Sequence, residues 1–200
     1  MGERTMFHQG SRKLQDRFDT RRLADRIESK LVTDVIGPHD KDLIERMDCF
    51  FLATADDEGR PNCSYKGGAP GFVRVPDERT LALPYDGNGM YLSIGNVLRN
   101  PQVGLLFVDF ERGTRLRVNG DATIDERDPL MPVYPEAQFV VRITVTEVFP
   151  NCPRYIHRRR LIQRSEFVPQ ADCPTLVTDW KRSEWARDAL PENGPARDGT

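Results

Sequence analysis

Tyr85-Asp86-Gly87-Asn88-Gly89-Met90 is a glycine-rich string that follows an apolar run and leads into a helix ending at Asn100-Pro101. The first backbone N–H groups of a helix have no partner within it and carry the positive end of its dipole. A phosphate placed there is hydrogen-bonded and electrostatically favoured. Gly87 and Gly89 permit a tight turn and close approach by a ligand, and Asn88 brings an amide. Ser93 adds a hydroxyl if the helix begins near Met90. The same string is also ordinary turn chemistry, which outnumbers ligand sites on local grounds.

Other residues with chemical potential are dispersed. His8, His39 and His157 do not stand at metal-ligand spacing, and Cys49, Cys63, Cys152 and Cys173 form no C-x-x-C pair. Neither a structural zinc site nor a metalloenzyme is expected, and the cysteines read as free thiols. Asn151 to His157 forms a polar and aromatic segment after the last apolar run, a place where scaffolds carry functional groups. Within it, a packing or exposed His157 and an inert Cys152 are the plainer readings.

The elements that must position these groups follow from pattern. Leu23, Ile27 and Leu31 recur at four-residue intervals after Asp19-Thr20, predicting an amphipathic helix that lies on something. A second helix fits Asp40 to Met47 after Gly37-Pro38. The period then becomes alternating. Residues 50–55 and 60–65 read as a hairpin around Asp56-Asp57-Glu58-Gly59, and 72–75 and 80–83 read as a second one. Gln102 to Asp109 is almost continuously apolar, as in a strand covered on both faces. Leu116, Val118, Ala122 and Ile124 alternate with Arg115, Arg117, Asn119, Asp121 and Thr123, and Phe139, Val141, Ile143 and Val145 repeat the pattern.

Many short antiparallel strands with one inserted helix predict a mainly β fold, closed or nearly closed into a barrel. A last helix is expected around Asp179 to Leu190, with a disordered tail from Pro191 to Thr200. The organisation is therefore a helical extension (1–47), a barrel (48–150) and a C-terminal segment (151–200). With 29 basic and 31 acidic residues the formal charge is −2, so no global field favours nucleic acid or an anionic membrane. No apolar run is long enough to span a bilayer, and Met1-Gly2-Glu3-Arg4 lacks a signal-peptide core, so a cytoplasmic chain is expected.

Several strings occur together in one order: Phe50-Phe51-Leu52-Ala53-Thr54, Asp57-Glu58-Gly59-Arg60-Pro61, Tyr65 to Val75, Asn88 to Ser93, and Asn100-Pro101-Gln102-Val103-Gly104-Leu105-Leu106-Phe107. Over roughly Met47 to Val148 this order resembles the pyridoxamine 5'-phosphate oxidase-like FMN-binding split barrels. It is most similar to the oxidase-related subgroup, in which Asn151-Cys152-Pro153 also recurs.

The resemblance implies an antiparallel six-stranded split β-barrel and a homodimer with FMN between subunits. It places the FMN phosphate near the strand Phe72-Val73-Arg74-Val75 and near Asn88, Gly89, Met90 and Ser93, with Arg74 as the best phosphate partner and Lys66 as a second cation. Arg115 matches a position from which the partner subunit reaches the flavin. Read without the resemblance, Arg74 and Arg115 are equally well strand surface charges, and Lys66 an exposed hairpin end.

The chain departs from the family's namesake in two places. Arg154 and His157 stand three apart rather than two, and Gly89-Met90 or Leu92-Ser93 replaces the basic pair after the phosphate turn. Both argue against oxidation of pyridoxamine phosphate itself, while Arg74 and the helix N–H groups still suit a phosphate. The implied function is an FMN-dependent oxidoreductase acting on a small molecule or electron donor. The alternative is a flavin-, haem- or deazaflavin-binding protein without turnover.

Overall fold

The computed structural model describes residues 6–87, 89–171 and 173–191. The expected tail from residue 192 onward lies outside them. Seven strands form one antiparallel sheet in the order β2-β1-β5-β6-β7-β4-β3. They are β1 (Cys49–Ala55), β2 (Pro61–Gly67), β3 (Arg74–Asp77), β4 (Thr80–Tyr85), β5 (Gln102–Asp109), β6 (Thr114–Asp125) and β7 (Phe139–Pro150). The mainly β split barrel is as expected, with seven strands in place of six. Short β3, which the alternating pattern marks at 72–75, pairs only with β4 at one end of the sheet.

Alternation explains the curl. Phe50 and Leu52 of β1, Leu105 and Phe107 of β5, Leu116 and Val118 of β6, and Val141 and Ile143 of β7 all enter one core. Burying each such side chain is worth about 1.5–3 kcal/mol. The two ends of the sheet approach through side chains rather than a ladder: Phe72, just before β3, stacks on Phe50 of β1 at 5.8 Å between ring centroids. In β7 the inward parity changes after Val145. The register shifts where Asn119 faces Glu147 and Gly120 faces Val145, so Val148 is the next residue inward. Gly120 permits this bulge, because a Cβ there would stand 2.4 Å from the Thr144 carbonyl oxygen.

Helix α3 (Pro38–Arg46) begins with proline, whose missing N–H costs nothing at that position, and buries Leu43 and Ile44 against the core. Helix α4 (Leu92–Arg99) buries Ser93, Ile94 and Val97. It begins later than expected because Tyr91 takes a left-handed φ of 49° and acts as its N-cap. On the outer face of β4 and β7 the loop after β6 lays Tyr134 over Ala82 and Val140, and the Tyr134 hydroxyl donates to the Ala82 carbonyl at 3.2 Å.

The termini differ from expectation. Helix α1 (Gln9–Arg17) has no counterpart in the sequence reading, since its cap is His8, whose ring nitrogen accepts from the Gly10 and Ser11 N–H groups. Helix α2 (Arg21–Leu31) forms, yet its stripe is uncovered: Leu23 is 60%, Ile27 43% and Leu31 46% exposed. Past it, the chain is fastened to the barrel by paired hydrogen bonds between Thr33 and Val148. The last helix shrinks to a 3₁₀ turn (Asp179–Arg182) and one turn of α5 (Glu184–Arg187), with Trp180 and Trp185 stacked on each other.

Candidate functional site

Two adjoining clefts open where β2 ends. The smaller, of about 410 Å³, is lined by Lys66, Arg74, Tyr85, Asp86, Gly87 and Tyr134, among others. Its volume falls in the range of small-molecule sites. Each lining residue arrives for a local reason. Lys66 lies on the half-buried side of β2, where alternate residues face α4 and the glycine turn. Arg74 projects from the exposed side of β3, opposite its buried neighbours Val73 and Val75. Tyr85 ends β4 and is stacked on Phe139 at 5.0 Å.

The electrostatics of this cleft are uneven. Among the described residues neither Lys66 nor Arg74 forms a salt bridge. The Lys66 ammonium lies over the Tyr85 ring at 5.1 Å and the Arg74 guanidinium over the Tyr134 ring at 5.8 Å. Burial pushes the Lys66 pKa below its ordinary value, opposed only by the Asp86 charge. Burial likewise pushes the Tyr134 phenol up to about 12, although the Arg74 charge works against it. Tyr134 is thus a neutral hydrogen-bonding group at any ordinary pH. Two cations, aromatic walls and a glycine turn make a setting that fits a phosphate joined to a planar ring.

The remaining sequence candidates lie elsewhere. The side chains of Val73 and Val75 are in the core. The Val75 N–H donates to the Glu45 carboxylate at 3.0 Å and its carbonyl accepts from the Lys41 ammonium at 2.9 Å, so its main chain is engaged by α3. Asn88 lies outside the described residues. Gly89 has a left-handed φ of 87° with open space around it, and Met90 is exposed. Ser93 is buried, with its hydroxyl 3.1 Å from the Ser64 hydroxyl and 3.4 Å from the Asn62 side-chain amide oxygen, so it ties α4 to β2. Arg115 lines neither cleft and donates to the Asn151 side chain at 2.8 Å.

The larger cleft, of about 680 Å³, shares Tyr65, Gly67, Gly68, Asp86, Val168 and Pro169 with the smaller. On its floor Arg46 donates to Asp109 at 2.9 Å, and Asp109 also accepts from the Glu111 and Arg112 N–H groups at 3.1 and 2.8 Å. Burial alone would raise the Asp109 pKa, but these hydrogen bonds and the two arginines hold it below the usual carboxylate value. Cys49 on the same wall is pushed up by burial and by the Asp48 charge, which keeps it a thiol. The outer wall is an extended strap, residues 159–169, which begins where the Arg159 N–H donates to the Phe110 carbonyl at 3.1 Å.

Tyr65, Tyr134 and the Val168-Pro169 pair were not anticipated as site residues. Tyr65 alone had a readable signal, through its place on the alternating β2. The other positions depend on how a loop and an extended segment drape over the sheet.

Among the described residues no helix is long and apolar enough to cross a membrane, and no group of histidines, cysteines and carboxylates could hold a metal ion. No curated protein sequence matches the chain. Among solved structures, a candidate pyridoxamine 5'-phosphate oxidase from Lactobacillus delbrueckii is 26% identical, over 58% of this chain and 95% of that one, with a TM-score of 0.48. HutZ, the haem storage protein of Vibrio cholerae, is 21% identical over 57% and 93%, with a TM-score of 0.40. An FMN-binding protein from Syntrophomonas wolfei is 12% identical over 72% and 95%, with a TM-score of 0.44. The sequence pattern of the pyridoxamine 5'-phosphate oxidase family matches residues 36–152, from the approach to α3 through the end of β7. With more than half of its length matched, the chain belongs to the pyridoxamine 5'-phosphate oxidase family.

Proposed function

We propose that the protein binds FMN in the smaller cleft and acts as an oxidoreductase on a small substrate. The observation that carries this reading is the pair Lys66 and Arg74, two cations that form no salt bridge among the described residues, set beside aromatic walls and a glycine turn. A phosphate would restore the favourable environment that burial takes from the Lys66 ammonium, and the Arg74 guanidinium would bind it in a bidentate fashion. Tyr85 and Tyr134 would hold the ring and exclude water. Bound FMN would supply the redox chemistry, and the protein would supply orientation and charge.

A second copy of the chain is the proposed partner. On the outer face of the sheet the register sets Tyr65, Phe51, Leu106, Arg117 and Phe149 in one row across five strands. Tyr65 is 64% exposed. Arg115 lies two residues along β6 from Arg117, on the same face, where a partner's cofactor would meet it. An apolar row edged by arginines suits association over this face.

Titration with FMN, followed by flavin fluorescence and melting temperature, tests the reading. Saturable binding that weakens in Arg74→Ala supports it. An absence of binding, or an affinity untouched by that change, overturns the assignment. NADPH consumption above that of free FMN would separate turnover from binding alone.

A further inference from the structure

We infer that the larger cleft is a second ligand site, built for the diphosphate of a nucleotide such as a dinucleotide. Its outer wall carries Arg159, Arg160 and Arg164 within six residues, and none of them forms a salt bridge among the described residues. The wall is anchored to the barrel at its start. Arg158 donates to the Arg112 carbonyl at 2.7 Å, the Arg159 N–H donates to the Phe110 carbonyl at 3.1 Å, and the Arg159 guanidinium lies over the Phe110 ring at 5.3 Å.

On the floor, one carboxylate is already answered by the fold. Arg46 and Arg112 flank Asp109 there, so the arginines of the cleft that form no salt bridge among the described residues are those of the strap. Adjacent guanidinium forks match the several oxygens of a diphosphate, and Phe110 and Phe167 offer apolar surface to a base or other planar ring. Asp48, Asp86 and Glu111 also line the cleft and would repel a continuous phosphate backbone, so the fit is to a compact ligand with one charged centre rather than to RNA. The volume of about 680 Å³ suits a ligand larger than a mononucleotide. The two clefts meet at Tyr65, Gly67 and Gly68, which sets this ligand beside whatever the smaller cleft holds. The inference stands whether or not that neighbour is FMN.

Calorimetric titration of the full chain with ADP-ribose, without added flavin, is the test. Saturable binding is expected, weakened about tenfold or more in the Arg160→Ala/Arg164→Ala double variant and changed less than about twofold in Arg74→Ala. Adenosine, which lacks the diphosphate, should bind at least about tenfold more weakly than ADP-ribose. Because trypsin cuts after exposed arginines, saturating ADP-ribose should also slow cleavage at Arg160 and Arg164 in the unmodified protein, a readout that needs no variant. Absence of binding, equal affinity for adenosine, indifference to the double substitution, loss in Arg74→Ala, or no protection from trypsin would each overturn the inference.

Discussion

Arg46 and Lys66 both line clefts at the same end of the barrel, yet they answer opposite demands. Arg46 meets the Asp109 carboxylate at 2.9 Å, and that carboxylate is further held by two backbone N–H groups. Lys66 is half-buried against Tyr85, with no carboxylate in salt-bridge range among the described residues. A cation paired with a nearly buried carboxylate stabilises the fold, because removing either partner leaves the other desolvated and alone. A cation buried without a partner costs stability and gains when an anion arrives. The molecule thus places a structural charge pair and a half-buried charge free of salt bridges within one region, and substitutions can separate their effects.

The largest effect is expected at the structural pair. Arg46→Ala should lower unfolding stability by about 2–3 kcal/mol in urea denaturation, since Asp109 loses a charged hydrogen bond while remaining almost buried. Its effect on FMN affinity should be small. Because the Asp109 pKa is lowered in the folded state, its contribution is present above the ordinary carboxylate pKa and is lost as pH falls through the folded value. An acid-unfolding curve of Arg46→Ala should therefore show a shallower loss in that window than the unmodified protein. A large fall in FMN affinity with no loss of stability would reverse the comparison.

Arg74→Ala should do the converse. FMN affinity should fall by about 1.5–3 kcal/mol, roughly tenfold to hundredfold, with stability changed by less than about 0.5 kcal/mol because the side chain is exposed. Fluorescence titration and denaturation on the same preparation would measure both numbers.

Lys66 gives a sharper contrast through pH. With its folded pKa below the ordinary lysine value, the charged form costs stability at lower pH, and the cost fades as pH rises from the folded value toward the ordinary one. Lys66→Met should remove that slope and stabilise the empty protein near neutrality. The same substitution should weaken FMN binding and abolish its decline with rising pH. A retained pH slope in Lys66→Met would assign the titration to another group.

The smallest expected effect is at Tyr134→Phe, which removes the 3.2 Å hydrogen bond to the Ala82 carbonyl and should cost about 1 kcal/mol. In the unmodified protein, ultraviolet titration should show one tyrosine ionising near pH 12, a signal missing from that variant.

Much of this contrast was readable from local pattern, and the unreadable part has identifiable causes. Alternation in 114–125 and 139–145 exposed the barrel, because a period of two leaves an imprint wherever one face of a strand is buried. The bulge that carries Val148 inward did not show, since it depends on Gly120 meeting the Thr144 carbonyl on another strand. Arg74 and Lys66 could be named from their place in the string, and the resemblance set both near one phosphate, but the Tyr85 and Tyr134 rings beneath them could not be read. Val75 could be named beside Arg74, whereas its engagement by Glu45 and Lys41 arises only when α3 packs across β3. Helix α2 had a legible apolar stripe, and the structure leaves that stripe uncovered because amphipathicity reports a preference for a partner without supplying one.

The sequence by itself determined the strands, the left-handed glycine turn, the family and the cations available for a phosphate, because these follow from periodicity, backbone stereochemistry and side-chain chemistry along the chain. Only the tertiary structure decided which charges were consumed by the fold and which were left facing a cleft. Asp109 reaches Arg46 across 63 residues, and the strap brings three arginines back beside β1 and β2 after the barrel is complete. Desolvation and pairing depend on what surrounds a charge in space, and no local reading of its neighbours in sequence contains that information.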